Sequence, residues 1–405
     1  MLKQAYLKFS CFMGKKLHLG VCGSVAAYKA LELLRAWKSL GIAVSVTLTA
    51  AAHRFITPLS CLSLGAAKVY GEMFELDDIF AHLEPGQQVD GMVILPATAS
   101  TLCRLASGDA SEMLAAQALA CDKPKLLAPA MHPRMWASPA VQANWGILKA
   151  RGFLGVEPVF GQTACGEEGQ GRLADLREIY LASLRMLGPA DLSGQTLLIT
   201  IGPTREFWDG VRFISNPSSG YMGAALAAAA WIRGAEVKAL CGPGVPWLPA
   251  AIQRTDIQSA DEMLAAARDL WPGCSLGCFT AAVCDYRPQE QGMEKMKKEI
   301  LGEAPVLRLA ANPDLAAVLG QNKGKEQRSI VFAAETSDLK NNALKKLVSK
   351  NADMVVANLV GKPGTGFESE DNQVSVISKD GEITDFPVLN KADTAWKIWD
   401  AFLSR

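Results

Sequence analysis

The chain has 405 residues, with 41 basic and 41 acidic side chains and a formal net charge of zero. At about 150 residues per domain, that length points to two or three domains. The balanced charge argues against a protein built around nucleic acid or an anionic membrane, and 49% hydrophobic with 20% charged residues excludes a disordered chain.

No apolar run reaches the length of about 18 residues that a membrane span needs, and the N-terminus lacks the apolar stretch and cleavage site of a secretory leader. Residues 1–12 read as a frayed extension, with Met13 as an alternative start. The ten cysteines are scattered without a CxxC and only four histidines accompany them, a pattern that speaks against structural zinc. Reduced thiols in the cytoplasm, mostly acting as small core filler, are expected.

Leu17-His18-Leu19-Gly20-Val21 reads as a strand running into Cys22-Gly23-Ser24. Ala27, Leu31, Leu34, Trp37 and Leu40 then recur at helical spacing until Gly41 ends the helix. A strand over residues 44–49 completes a β-turn-α-β unit, which requires a right-handed crossover in a parallel sheet. The pattern returns with a strand over 196–200, a Ser218-Ser219-Gly220 turn, a helix over 222–231 and a strand over 236–240. Two such openings imply two Rossmann-like three-layer α/β domains. The breaker-rich residues 187–194 mark the boundary, giving domains at 14–188 and 191–405. Residues 91–95, 125–128, 329–333 and 354–357 are continuous apolar runs, as in strands covered on both faces. Ligands in such folds sit beyond the carboxyl ends of the strands, so the loops after these runs are the candidate sites. The alanine-rich residues 224–230 predict close helix–sheet packing.

Gly23 and Ser24 put a glycine turn and a hydroxyl at a helix N-terminus, which favours a phosphate; a cap that binds nothing is the equal alternative. Leu95-Pro96-Ala97-Thr98-Ala99-Ser100-Thr101 offers small residues that admit a flat ring or a phosphate. A third strand-end loop carries Met131, His132 and Trp136 between prolines. Residues 161–173 hold Cys165 among four glycines, which predicts a mobile lid with a reactive thiol.

In the second half, Arg212, Asn216 and the serine-rich helix start suit an anionic ligand, with a capped helix and a solvated arginine as the equal alternative. Asp285 follows an apolar strand, and Glu294-Lys295-Met296-Lys297-Lys298 supplies a basic cluster. Asn312-Pro313-Asp314, Phe332 with the residues that follow it, and Lys346 with Lys350 on one helix face complete the set. The two lysines repel unless a triphosphate or solvent screens them.

These segments resemble the flavin-containing cysteine decarboxylases. From about Lys15 onward, nearly the whole chain resembles the bifunctional family that fuses phosphopantothenoylcysteine decarboxylase to phosphopantothenate–cysteine ligase. The resemblance implies an N-terminal flavodoxin-like flavoprotein fold that assembles as trimers around the flavin, and a C-terminal parallel-sheet ligase fold that pairs two-fold, together building a dodecamer. It implies that Gly23, Ser24, Thr49, Pro96, Ala97, Thr98 and Ser100 hold FMN, that His82 belongs to the catalytic His-x-Glu segment, and that Cys165 is the proton donor. Met131 and His132 would hold substrate; the family usually has asparagine where His132 stands, and an imidazole N–H can also donate to a carboxylate.

For the ligase half, the resemblance implies that CTP meets Thr280, Ala281, Asp285, Lys295, Pro313, Asp314, Leu315, Ala316, Phe332, Lys346 and Lys350. Arg212 and a catalytic Asn216 would engage 4'-phosphopantothenate and its acyl-cytidylate, with L-cysteine as the amine. Mg²⁺ is expected beside the triphosphate, although no metal ligands are identifiable. The product, 4'-phosphopantothenoylcysteine, would be the substrate of the first domain. Two alternatives stay open: a flavin-binding regulatory protein with a degenerate site, motivated by His132, and a dinucleotide oxidoreductase resting on two glycine turns without a full GxGxxG.

Overall fold

The computed structural model describes residues 6–73, 78–292, 294–297, 299, 303, 305–335, 339–359 and 371–404. It divides into two compact units, Met1–Gly188 and Pro189–Arg405.

The first unit is built on β1 (Lys16–Val21), β2 (Ala43–Leu48), β3 (Lys68–Tyr70), β4 (Gly91–Ala97), β5 (Lys125–Pro129) and β6 (Leu154–Gly155). They lie in the order β3-β2-β1-β4-β5-β6, and every neighbouring pair is parallel. All seven residues of β4 are buried, as expected of a strand covered by helices on both faces. The helix Tyr28–Ser39 turns Leu33, Leu34 and Trp37 inward, and the Trp37 indole N–H donates to Ser183 Oγ at 2.9 Å. The strand order reverses between β1 and β4, so a crevice opens at their carboxyl ends. Beyond the sheet, β7 (Val159–Gln162) and β8 (Glu168–Arg172) form an antiparallel hairpin.

The expected frayed N-terminus is not what the structure shows from Leu7 onward. Phe9 and Phe12 are buried, and Tyr180 Oη donates to the Leu7 carbonyl at 2.9 Å. Two large aromatic side chains spaced three apart supply enough apolar surface to dock this segment.

The second unit contains β9 (Thr196–Ile201), β10 (Arg205–Phe207), β11 (Phe213–Ser215), β12 (Glu236–Cys241), β13 (Gln253–Asp256), β14 (Leu276–Phe279), β15 (Tyr286–Pro288), β16 (Leu309–Ala311), β17 (Arg328–Glu335), β18 (Met354–Leu359), β19 (Asp371–Asn372), β20 (Val374–Ser378), β21 (Ile383–Asp385) and β22 (Leu389–Asn390). The main sheet runs β13-β12-β9-β14-β17-β18-β20-β21. It is parallel from β13 to β18, and its last two strands are antiparallel. The order reverses between β9 and β14, which opens a second crevice there. The alanine-rich helix Tyr221–Ile232 is buried from Gly223 to Ala230. The C-terminal helix Lys391–Leu403 packs on it, with the Trp399 indole N–H donating to Leu226 O at 3.1 Å; only methyl-sized side chains allow that approach.

Among the described residues, no helix is long and apolar enough to cross a membrane. Seven of the ten cysteines are buried, and Cys11, Cys103 and Cys165 are exposed. Burial raises the thiols of Cys61, Cys241, Cys274, Cys278 and Cys284, and that of Cys22 to about 11, which disfavours their thiolates as nucleophiles.

Candidate active sites

In the first unit, β1, β2, β4 and β5 end at one edge of the sheet, so the loops bearing Gly23 and Ser24, Thr49, Thr98 and His132 emerge side by side. Ser24 Oγ accepts from the Ala26 N–H at 3.3 Å, opening the turn that leads into Tyr28–Ser39. Thr98 likewise caps Ala99–Ser107. Thr49 is buried, and its hydroxyl accepts from the Ala52 N–H at 3.3 Å, so its side chain shapes its own loop. Pro96 and Ala97 are the buried end of β4, and Ser100 is exposed.

A cavity of about 640 Å³ joins Ser24 to Lys29, Met131, His132 and the hairpin residues Thr163, Cys165 and Arg172. The hairpin lies directly on the loop after β5. Met131 N–H donates to Gly171 O at 3.0 Å, and a Cβ on Gly171 would collide with the Met131 carbonyl. Two side chains of that loop hold the hairpin turn. His132 Nε2 lies 2.7 Å from one Glu167 carboxylate oxygen, and Arg134 Nε donates to the other at 2.9 Å. His132 Nδ1 accepts from the Arg134 backbone N–H at 3.3 Å, which assigns the ring proton to Nε2, facing Glu167.

Cys165 is exposed near the tip of this hairpin, 3.1 Å from Thr163 Oγ1. The Thr163 hydroxyl, followed by the Glu167 backbone N–H, holds the thiol below its ordinary value.

Thr49, the Pro96–Ser100 loop (residues 96–100) and His82 are not among the described residues lining this cavity. His82 sits in the turn ahead of Glu84–Gln88. Three interactions fix that turn. Lys68 pairs with Asp78 at 2.9 Å and with Glu84 at 2.5 Å, and Gln117 Nε2 donates to the Ala81 carbonyl at 2.9 Å. Gln117 is fully buried, and its oxygen accepts from Thr47 Oγ1 at 2.7 Å and from His18 Nε2 at 3.2 Å. Burial pushes the His18 imidazole down to about 3, so it is neutral. Neither Gln117 nor His18 stands out by spacing.

In the second unit, a cavity of about 480 Å³ lies over the carboxyl ends of β9, β14 and β17. It brings together Asn216, Thr280, Ala281, Asp285, Pro313, Asp314, Leu315, Ala316, Phe332, Lys346 and Lys350. Thr280 Oγ1 donates to the Thr200 carbonyl at 2.6 Å, tying β14 to β9 at the cavity floor. Asn216 Nδ2 donates to the carbonyls of Ala282 and Val283 at 3.2 and 3.1 Å, so its oxygen is what it can turn to a ligand. Asp314 caps Leu315–Gln321 through the Ala317 N–H at 3.0 Å and pairs with Lys350. Burial holds the Lys350 ammonium below its ordinary value, against the opposing pull of Asp285.

Arg212 and Lys295 do not line this cavity among its described residues. Arg212 pairs with the buried Asp209 at 3.1 Å, and the Met296 N–H donates to the same carboxylate at 3.2 Å. The two predicted residues therefore belong to one neighbouring loop cluster. Lys298 and Thr336 lie outside the described residues.

Residues 10–187 match the family model described as Flavoprotein, and residues 192–404 match that of the DNA/pantothenate metabolism flavoprotein C-terminal domain. The coenzyme A biosynthesis bifunctional protein CoaBC of Vibrio cholerae is 38% identical over 371 residues, 91% of this chain and 93% of that protein. Its Escherichia coli counterpart is 38% identical over 375 residues, 91% of this chain and 92% of its own. The chain belongs to this bifunctional family. A crystal structure of the C-terminal domain of such a protein covers 53% of this chain and 97% of its own, with 36% identity and a TM-score of 0.45.

The family's flavin fits the residues present. A Cβ on Gly23 would collide with Ala51, so only glycine lets the loops after β1 and β2 close into one rim, beside the helix start at Ser24. That start favours a phosphate, and Thr98 opens a second helix start at the same edge of the sheet. Sequence reasoning passed over the Glu167 contacts of the hairpin and, in the ligase-type cavity, Asn358, Asn372 and Lys391. The only signal available for Glu167 was its place in the turn beside Cys165.

Proposed function

We propose that this chain catalyses two steps of coenzyme A biosynthesis, joining 4'-phosphopantothenate to L-cysteine with CTP and then decarboxylating the product to 4'-phosphopantetheine. The observation that carries this reading is the convergence of one segment set in each unit: Cys165, His132 and Ser24 around one cavity, and Asn216, Asp285, Asp314, Lys346 and Lys350 around the other.

In the ligase cavity, Lys346 and Lys350 offset triphosphate charge, while Asp285 and the cap at Asp314 fix the nucleotide. Mg²⁺, when bound, screens the phosphates further. The substrate carboxylate attacks the α-phosphorus of CTP; an O–P bond forms, and pyrophosphate leaves with the bonding pair. The cysteine amine, having lost one proton to solvent, then attacks the acyl carbon. A C–N bond forms, CMP leaves with its bonding pair and the nitrogen loses a second proton. Asn216 orients the acyl group through the one amide oxygen that Ala282 and Val283 leave available.

In the first unit, Ser24 and the helix start behind it receive the single phosphate of FMN. Flavin held there would supply the two-electron oxidation of the cysteinyl end that allows CO₂ to leave, and would give the electrons back in the final reduction. His132 and Met131 hold the substrate end. Cys165 donates a proton to carbon at the close of the reaction, which suits a thiol that the Thr163 hydroxyl holds below its ordinary value. The hairpin excludes water from the reactive intermediate. His82 joins a site that a neighbouring copy completes. The exposed Ile79 and Phe80 beside it, and Val25 and Tyr28 at the cavity rim, support a trimeric arrangement of this unit, within a dodecamer if the ligase units pair. The setting is cytoplasmic.

The test is to purify the chain, measure flavin absorbance, and supply CTP, Mg²⁺, 4'-phosphopantothenate and cysteine. Pyrophosphate and CO₂ are both expected. Bound flavin with neither product would overturn the enzyme reading in favour of a flavin-binding regulatory protein.

A further inference from the structure

Three polar side chains line one flank of the ligase cavity and have no role in the account above: Asn358 at the end of β18, Asn372 in β19 and Lys391 at the start of the C-terminal helix. Strand register gathers them from distant parts of the chain. Asn358 pairs with Val374, two residues beyond Asn372, and Asn372 pairs with Leu389, two residues before Lys391.

Their hydrogen bonding is incomplete. Asn372 is only 3% exposed; its Nδ2 lies 3.7 Å from Met222 Sδ, and its Oδ1 has no donor. Asn358 Oδ1 is also buried without a donor. Buried amide oxygens are normally satisfied, so an orphan pair on a cavity wall calls for donors from a ligand. Beside them, the Lys391 ammonium lies 5.8 Å from the centroid of the Tyr221 ring. Its value is lowered by burial, with no carboxylate among the causes.

The flank thus offers two acceptors and one cation. A phosphate would satisfy Lys391 but face two lone-pair-bearing oxygens that repel it. A neutral hydroxyl or amine would satisfy the oxygens and leave the ammonium unpaired. A zwitterionic α-amino acid satisfies both demands, its ammonium N–H groups reaching the amide oxygens and its carboxylate reaching Lys391.

We propose that Asn358, Asn372 and Lys391 form the amino-acid subsite of the ligase cavity. The Met222 thioether beside Asn372 is a soft apolar neighbour for the thiol side chain. The inference rests on the ligase reading and assigns a place to the third substrate, with CTP on the Lys346–Lys350 flank (residues 346–350) and the phosphorylated acid beside Asn216.

The experiment separates the two half-reactions on the full chain. Pyrophosphate release is followed first with CTP, Mg²⁺ and 4'-phosphopantothenate alone, and amide formation is then titrated with cysteine or with cysteamine, which lacks only the carboxylate. Lys391→Met is expected to leave the cysteine-free burst intact, to raise the KM for cysteine about tenfold, as for loss of a charged hydrogen bond, and to narrow the preference for cysteine over cysteamine. Lys391→Arg retains that preference. Asn372→Leu raises the KM for both amines alike, because both carry the ammonium. A slower burst or a higher KM for CTP in Lys391→Met would assign the lysine to the triphosphate and overturn the subsite, as would an unchanged preference between the amines. A wild-type chain without a burst would overturn the ligase reading itself.

Discussion

Removing the Glu167 carboxylate tests how the cysteine-bearing hairpin is held. Glu167 receives His132 Nε2 at 2.7 Å and Arg134 Nε at 2.9 Å, on side chains that are 31%, 35% and 81% exposed for His132, Glu167 and Arg134 respectively. Exposed pairs of this kind contribute about 0.2–1 kcal/mol each, so the two together hold the turn by about 1 kcal/mol. That corresponds to about a fivefold shift in the open-to-closed ratio. Glu167→Ala is therefore expected to speed amide exchange in Val159–Gln162 and Glu168–Arg172 about fivefold, and to slow single-turnover decarboxylation in parallel. His132→Asn, which removes one partner, produces a smaller change of the same sign. The contact from Met131 to Gly171 remains in both variants and keeps the hairpin from detaching. Hydrogen–deuterium exchange read by mass spectrometry reports the hairpin peptides directly. Unchanged exchange in both variants would refute the reasoning, since the hairpin would then be held by its backbone contacts alone.

Thr163→Val removes the largest influence lowering the Cys165 thiol, so its pH profile for alkylation by iodoacetamide shifts to higher pH and alkylation at neutral pH slows; a shift to lower pH contradicts the assignment. Gln117→Leu strands His18, Thr47 and the Ala81 carbonyl, costing about 1–3 kcal/mol in chemical denaturation, and it impairs decarboxylation while ligation survives; equal loss of both activities would show general unfolding instead. Asn216→Ala abolishes amide formation but leaves decarboxylation of supplied 4'-phosphopantothenoylcysteine intact, whereas Cys165→Ser leaves amide formation intact and blocks completion of the decarboxylation. If either variant loses both activities, the assignment of one reaction to each unit is wrong.

Local pattern made much of the fold legible. The apolar runs became β4, β5, β17 and β18 with ends shifted by two residues or fewer, because strands buried on both faces have no alternation to obscure them. The loops after them carried the candidate residues, since open parallel sheets present their loops at the carboxyl edge. The antiparallel edge formed by β20 and β21 escaped notice, for alternating strands of three to five residues look like many loops. Arg212 illustrates a different limit. It reads as an anion ligand beside a strand, yet Asp209 three residues earlier takes its guanidinium, a spacing that could have been noticed. Asn358, Asn372 and Lys391 could not have been grouped, because only the register of β18, β19, β20 and β22 brings them to one wall.

The most direct test of the two-site account is the stoichiometry of one reaction on the purified chain with CTP, Mg²⁺, 4'-phosphopantothenate and L-cysteine carrying a labelled carboxylate. The account predicts one labelled CO₂ per CMP in the wild-type chain. It also predicts that in Cys165→Ser CMP continues to form while labelled CO₂ stops after the first turnover of each flavin, with 4'-phosphopantothenoylcysteine then accumulating. Labelled CO₂ released by Cys165→Ser at the wild-type rate over many turnovers would contradict it.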